Sequence, residues 1–497
     1  MIPSLSLKLA SKLSVCVLTV GLALALGWRA TSAQSAATQG GPTFTKDIAP
    51  ILQKKCQTCH RPDSIAPMSL ITYEEVRPWV RSIKSKTGLG PRSGVMPPWF
   101  AEKTVGIQDF ANDPSLSSDQ IQTIAMWVDS GAPQGNPADM PAPLSFTNDW
   151  KIGTPDLIVK SPTVEMPARG SDWWGTIAGE ALTGLTEDRY VAAVQMREVT
   201  LSIEGEAQRP DPTRENVALP ATKSIGGRFI IHHWGFDIVE GSADGAAEVP
   251  PGAVGSEHEV GRNEDFYDPE VGRLMKAGSK AVFQRSIHLH SNGRATKAFM
   301  EIGIKFHPKG WVPTRTARAR GLFGNSMNLD IRPMEANQKF EGFTVLPDNA
   351  KIVSFEPHMH AAGVRMCLDV IYGTSATAET LSCVGYDHSW VRTYNFGKDS
   401  QPLLPKGTIV RITGYFDNTP GNRNVADPRN WSGNGHRSIE NMMNELGEVQ
   451  LLTDKEFQDA MGERRKARGL KDGQTMIGCP LCGLVRKPPT TVTGQQQ

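Results

Sequence analysis

The run AVFQRSIHLHSNG, residues 281–293, decides how most of this chain is read. Side chains of a strand alternate between its faces. Phe283, Ile287 and Leu289 therefore share one side, and Gln284, Ser286, His288 and His290 the other. The next run, KAFMEIGIKFHP (297–308), repeats the period. Ala298, Met300, Ile302, Ile304 and Phe306 take one face, and Glu301, Lys305 and His307 the opposite, solvated one. From residue 146 onward the chain consists of such short runs broken by Gly, Pro and Asn, with no long helical period before 453–470. That texture predicts all-β structure. The region is too long for one small sandwich, so two are expected, 146–341 and 342–452, dividing near GFTVLPDNAKI (342–352).

Two further histidine pairs fall in this region. In KIVSFEPHMH (351–360), Ser354, Glu356, His358 and His360 share a face against Val353, Phe355 and Met359. Two imidazoles two apart on one strand face can reach one metal ion. In FIIHHWGF (229–236), consecutive His232 and His233 should point to opposite sides. Both can serve one ion only where a bulge or strong twist re-aims one of them.

The front of the chain differs. Lys8 and Lys12 precede the apolar run LSVCVLTVGLALALG (13–27), followed by small residues up to Ala33. This is the layout of a secretory signal peptide spanning 1–33, and it implies a periplasmic or secreted protein. An uncleaved membrane anchor is the alternative, but the run is shorter than the ~20 residues a span needs. No later stretch is long and apolar enough to cross a bilayer. The 497 residues are 39% apolar with a formal net charge of +1, so nucleic acid is not an expected partner.

CQTCHRP (56–62) holds a C-x-x-C-H, the haem c attachment motif, in which Cys56 and Cys59 bond the porphyrin and His60 is an axial ligand. An amphipathic helix in FTKDIAPILQKKC leads into it. A second helix is expected in LSSDQIQTIAMWVDSGAP (116–133), with Ser117 and Gln120 placed for a capping box. Between them, GVMPPWF offers Met96 as the sixth iron ligand. Met68 of APMSL is read as core packing. Residues 42–135 resemble small class I cytochromes c, which implies a small all-α domain ahead of the two β domains.

Of the remaining cysteines, Cys16 leaves with the signal. Cys367 and Cys383 face one another if their runs pair as a hairpin centred near residue 375, which makes a disulfide plausible. Cys479 and Cys482, in the charged tail 453–497, are too few for a structural zinc site. They are read as a local disulfide or an inert pair.

The ordered set HHW (232–234), HLHSNG (288–293), PHMHAAG (357–363) and IENMMNELGEV (439–449) resembles the copper type II, ascorbate-dependent monooxygenases. The peptidylglycine α-hydroxylating and dopamine β-monooxygenases belong to that family. The likeness is closer to exported bacterial proteins that fuse a cytochrome c to such a module. It implies two jelly-roll-like sandwiches, each with one copper. His232, His233 and His288, with His290 as fallback, would hold the first. His358, His360 and Met443, the last chosen over Met442, would hold the second and carry catalysis. Imidazole and thioether donors suit Cu(I). His258, His388 and His436 find no partner in this set and are read as solvated or locally bonded loop histidines, with His388 the first candidate for an exception.

The expected protein is an exported oxidoreductase that hydroxylates an unknown organic substrate with O2. An external donor would supply electrons, passing from one haem c to two coppers. A haem–copper electron carrier and a zinc hydrolase on His232, His233 and His288 are the rival readings.

Overall fold

The computed structural model describes residues 40–62, 64, 66, 68–146, 150–203, 229–240, 254–316, 323–324, 328–372 and 378–470. The signal segment with Cys16, and Cys479 with Cys482, lie outside the described residues. Among them, no helix is long and apolar enough to cross a membrane.

The alternation read from the sequence builds the first β unit. The strand Thr296–Phe306 pairs with Arg189–Ile203 on one side and with Leu157–Lys160 on the other. It buries Ala298, Met300, Ile302 and Ile304 completely. A second six-stranded sheet, which includes Trp173–Gly175, Ile287–Leu289, Ile231–Val239 and Gly255–Glu259, lies across a shared apolar core. Trp234, Phe236, Phe283 and Ile287 fill that core. Burial of each such side chain contributes about 1.5–3 kcal/mol.

The second β unit centres on a four-stranded antiparallel sheet ordered Gln338–Val345, Ile409–Phe416, Gly363–Ile371, Ala378–Gly385. Short strands cover it, among them Pro357–Met359 and Met443–Glu445. Cys367 and Cys383 are direct register partners and are disulfide-bonded. The boundary between the units falls earlier than 342. Arg315–Thr316 pairs within the first unit, whereas Phe323–Gly324 already pairs with Met443–Glu445.

The expected all-α cytochrome c domain over 42–135 is overturned. The chain is 34% strand and 16% helix, and no sizeable all-α domain is present among the described residues. Four short α-helices occur there: Ala49–Lys55, Tyr73–Val76, Val80–Thr87 and Ser118–Asp129. Ser117 and Gln120 do form the expected capping box. The segment between the third and fourth of these helices belongs elsewhere, because Val95, Trp99, Phe100, Ala101 and Ile107 are buried in the core of the second β unit. Its backbone adds an edge to that unit's sheet. The Glu102 N–H donates to the Cys383 carbonyl at 3.0 Å, and Ile107 N–H to Leu381 at 2.8 Å. Gly106, at φ 63°, is required at this approach, since a Cβ there would strike the Leu381 carbonyl. The apolar residues of GVMPPWF thus satisfy the hydrophobic demand of a β core instead of closing a helical domain. Trp99→Ala should therefore cost the β unit about 3–5 kcal/mol, read by urea unfolding followed through the β-sheet signal. A negligible loss would mean that the segment only rests on the surface.

Polar contacts fasten the two β units face to face. Val391 N–H donates to the Val260 carbonyl at 2.9 Å. Buried Lys351 meets Asp268 at 2.5 Å, and Arg273 meets Glu448 at 3.1 Å. Arg262 of the first unit reaches Glu356 of the second at 2.9 Å. The histidine motifs lie along this seam.

Candidate metal centre

His232 and His233 reach one point because the sheet is irregular there. Along Ile287–Leu289 the partners run Ile287 with Trp234, His288 with His233, then Leu289 with Ile231. His232 is thus left over as the extra residue of a β-bulge, the feature two consecutive ligands require. Glu198 anchors the strand's start, its carboxylate accepting the N–H groups of Ile230 and Ile231 at 2.9–3.2 Å. Burial pushes that carboxyl up to about 8. The nitrogens of His232, His233 and His288 lie within 4.8 Å of one another. His290 is not in that set; its ring centroid stands 6.3 Å from His232 and 6.4 Å from His288.

His288 is held from both halves. Its Nε2 is 3.0 Å from Asp172 Oδ2, its Nδ1 is 3.3 Å from Ser438 Oγ of the second unit, and Trp174 stacks on the ring at 4.5 Å. The Asp172 carboxyl is held below its usual range by this bond. Carboxylates that orient a ligating imidazole typically account for 10–100-fold of metal affinity. Asp172→Asn should weaken metal binding at this nest by about that factor, measured by competition with a chelator of known affinity.

In the second unit, His358 and His360 stand with ring centroids 5.5 Å apart. Residue 443 does not join them on their face. Met359 and Met443 are direct register partners, as are His358 and Asn444. Side chains of directly opposed residues project to the same face. Met443 is fully buried in the core with Met359, its sulfur against Gly414 of the four-stranded sheet. Alternation puts Met442, which is only partly buried, on the histidine side with Asn444. The expectation of Met443 over Met442 is therefore corrected by strand phase.

Three features lie outside the expected ligand set. His388, read as a solvated or locally bonded loop histidine and singled out as the exception to watch, lies between the two groups, 5.0 Å from the His232 ring and 5.6 Å from His360. Glu259, buried at 4% exposure, places Oε2 3.8 Å from His232 Nδ1 and Oε1 4.0 Å from His358 Nδ1. Asp172 has no motif around it. Only the pairing of distant strands brings these residues in. His258 is locally bonded as expected, to Asn263 at 2.6 Å and the Ile231 carbonyl at 3.3 Å, and His436 is exposed.

The donor set suits a metal ion. Buried Nδ1 atoms of His232, His358, His360 and His388 have no hydrogen-bond partner. An unsatisfied buried polar atom costs about 1–3 kcal/mol, which coordination would offset. Burial, seconded by the neighbouring rings, pushes His233, His358, His360 and His388 down to about 3, and His232 well below 6.5. All are then neutral at pH 7, the form that binds metal.

The C-x-x-C-H turn is also in place. His60 N–H donates to the Cys56 carbonyl at 2.9 Å, and His60 Nδ1 is 3.3 Å from the Met68 carbonyl. That bond orients the ring and leaves Nε2 for iron, which fits the motif. It also puts the Met68 backbone on the His60 side. Burial pushes the Cys56 thiol up to about 12 and raises Cys59. Met96 comes from a separate loop, its N–H on the Lys86 carbonyl at 3.2 Å and a cis bond to Pro97 following it.

No family model and no curated protein matches the chain. Among solved structures it is similar to the CBM22-1-CBM22-2 tandem domain of Paenibacillus barcinonensis Xyn10C, at 9% identity and TM-score 0.15, over 60% of this chain and 98% of that one. Recombinant pro-11S globulin of pumpkin matches at 9% and 0.12, over 65% and 97%. Bacillus subtilis oxalate decarboxylase matches at 7% and 0.10, over 53% and 78%. Likenesses at TM-scores of this size carry no argument about fold or function.

Proposed function

We propose that the chain is an exported copper- and haem-dependent oxidoreductase that hydroxylates a C–H bond of an organic substrate with O2. The observation that carries this reading is the convergence of two histidine groups, one from each β unit, on a single seam. His232, His233 and His288 would hold one copper, and His358 and His360 the other, with Met442 on their face. When bound, copper supplies one-electron redox chemistry and an affinity for O2; imidazoles bind both of its oxidation states, and a soft thioether donor favours the reduced one.

The chain's own groups prepare that chemistry. Burial keeps the imidazoles neutral and excludes water. Asp172 would orient the His288 ring through Nε2, and copper on Nδ1 would replace that atom's contact with Ser438 Oγ. Cys56, Cys59 and His60 would attach haem on a turn whose Cys59 feels Lys151 of the first β unit and Arg392 of the second. Tethering donor and acceptor in one chain makes electron delivery intramolecular, at an effective concentration on the order of millimolar.

A three-histidine nest is also what a hydrolytic zinc site uses. Metal analysis of protein purified from its native compartment, paired with O2 uptake and product detection over a panel of C–H substrates, separates the readings. Copper with haem and substrate-coupled O2 consumption is expected. Zinc without copper, or copper and haem that never couple O2 to a product, would overturn the monooxygenase.

A further inference from the structure

We propose that Trp174 is a positioning residue of the His232, His233 and His288 nest: its indole lies flat on the His288 imidazole and, with Asp172 at the ring's edge, leaves Nδ1 as the atom presented to an ion. This role rests on the nest holding a metal ion and is independent of the His358 and His360 group.

Local sequence sets up the arrangement. The strand Trp173–Gly175 is the edge of the sheet that carries the nest. Trp174 and His288 are direct register partners there, so their side chains project to one face. Asp172, two residues earlier, reaches the same ring. Trp173 opposes Leu289 and takes the other face. Its ring lies along its own strand, where a Cβ at Gly175 would come within 2.6 Å of it. The tetrapeptide DWWG (172–175) therefore sends its carboxylate and one indole to the histidines and the other indole away.

The two contacts on His288 restrain different motions. The Trp174 ring stands 4.5 Å from the imidazole at an interplanar angle of 13°, an offset-stacking geometry. Trp174 Nε1 is buried without a hydrogen-bond partner among the described residues, so the stack, and not the N–H, sets the pose of the indole. A flat stack holds the plane of an imidazole but is indifferent to which nitrogen points where. Asp172 Oδ2, 3.0 Å from Nε2, decides that. A carboxylate there keeps the proton on Nε2 and the lone pair on Nδ1. One hydrogen bond alone lets the ring swing about the contact, and the indole stops the swing. Trp174 also shields the ring at the sheet's edge, where His288 is only 2% exposed.

The test uses the full chain, freed of metal by chelation and reloaded with Cu(II), as wild type, Trp174→Phe, Trp174→Leu and Trp174→Met. His288→Ala identifies the nest's share of the bound copper and of the electron paramagnetic resonance spectrum. Affinity is read by competition with a chelator, and unfolding curves of the metal-free variants report whether each is folded. Trp174→Leu should bind copper at the nest about tenfold or more weakly, the loss expected for a contact that orients a ligand, with a changed and broadened spectrum. Trp174→Phe keeps a flat ring and should restore most of the affinity and the wild-type line shape. Trp174→Met fills similar space without a flat ring and should behave as leucine does, and it serves if the leucine variant does not fold. Wild-type affinity and line shape in a folded leucine or methionine variant would overturn the positioning role and leave the metal nest standing. A phenylalanine variant as impaired as the aliphatic ones would overturn the stacking argument. A wild type in which His288→Ala removes no copper would overturn the nest itself, and the role of Trp174 with it.

Discussion

Met442→Ala is expected to remove about one equivalent of copper with the fold intact, whereas Met443→Ala should keep the copper and lose about 2–5 kcal/mol of stability. The contrast follows from register alone. Met443 opposes Met359 and is fully buried against Gly414, so truncation leaves a cavity in the core of the second β unit. Met442 is displaced by one residue and takes the other face, that of His358 and Asn444. A one-residue slip exchanges every side chain between faces, so the two variants cannot both behave as ligands of one ion. Copper per chain and a chemical unfolding curve on each variant read the outcome. Copper loss in Met443→Ala with none in Met442→Ala would show that the strand Met443–Glu445 pairs in the other phase.

The metal-free protein should lose stability steeply below neutral pH, and bound metal should postpone that loss. His233, His358, His360 and His388 titrate near 3 in the folded protein, against 6.5 when exposed, and His232 is also depressed. Below pH 6.5 the unfolded chain takes up protons that the folded chain refuses. Stability is therefore fully present above 6.5 and falls as pH drops toward 3. The opposing carboxyls are Glu198, Glu259 and Glu356, raised by burial, which bind protons in the folded state first. They are outnumbered by the histidines, so the net slope keeps its sign. Each displaced unit corresponds to about 1.4 kcal/mol. Several rings together thus compete with a typical total stability of about 5–15 kcal/mol. Thermal melts of chelator-treated and copper-loaded protein between pH 8 and 4 read both effects. Equal, flat profiles would show that the rings are solvated.

Sequence reasoning recovered whatever local periodicity encodes. The face assignment of Thr296–Phe306, the Ser117–Gln120 cap and the Cys367–Cys383 pairing all follow from spacing, because strand and helix periods are properties of a few consecutive residues. The requirement for a bulge at His232 was also legible, since adjacent side chains of a regular strand diverge. The assignment failed where apolar residues could serve more than one core. Trp99 and Phe100 fall in the stretch expected to form a small all-α domain and instead complete a β core nearly three hundred residues downstream. Met442 and Met443 could not be separated without the register of their strand.

The sequence by itself determined which residue types this protein can offer a metal and on which strand face most of them stand, because alternation is local. Only the tertiary structure decided that the groups share one seam, that His388 and Glu259 lie between them, and that Val95–Ile107 leaves the small core of the front helices for that of the second β unit. Those outcomes depend on pairings between segments far apart in the chain. Such pairings are selected by the total apolar surface buried, which no single stretch contains.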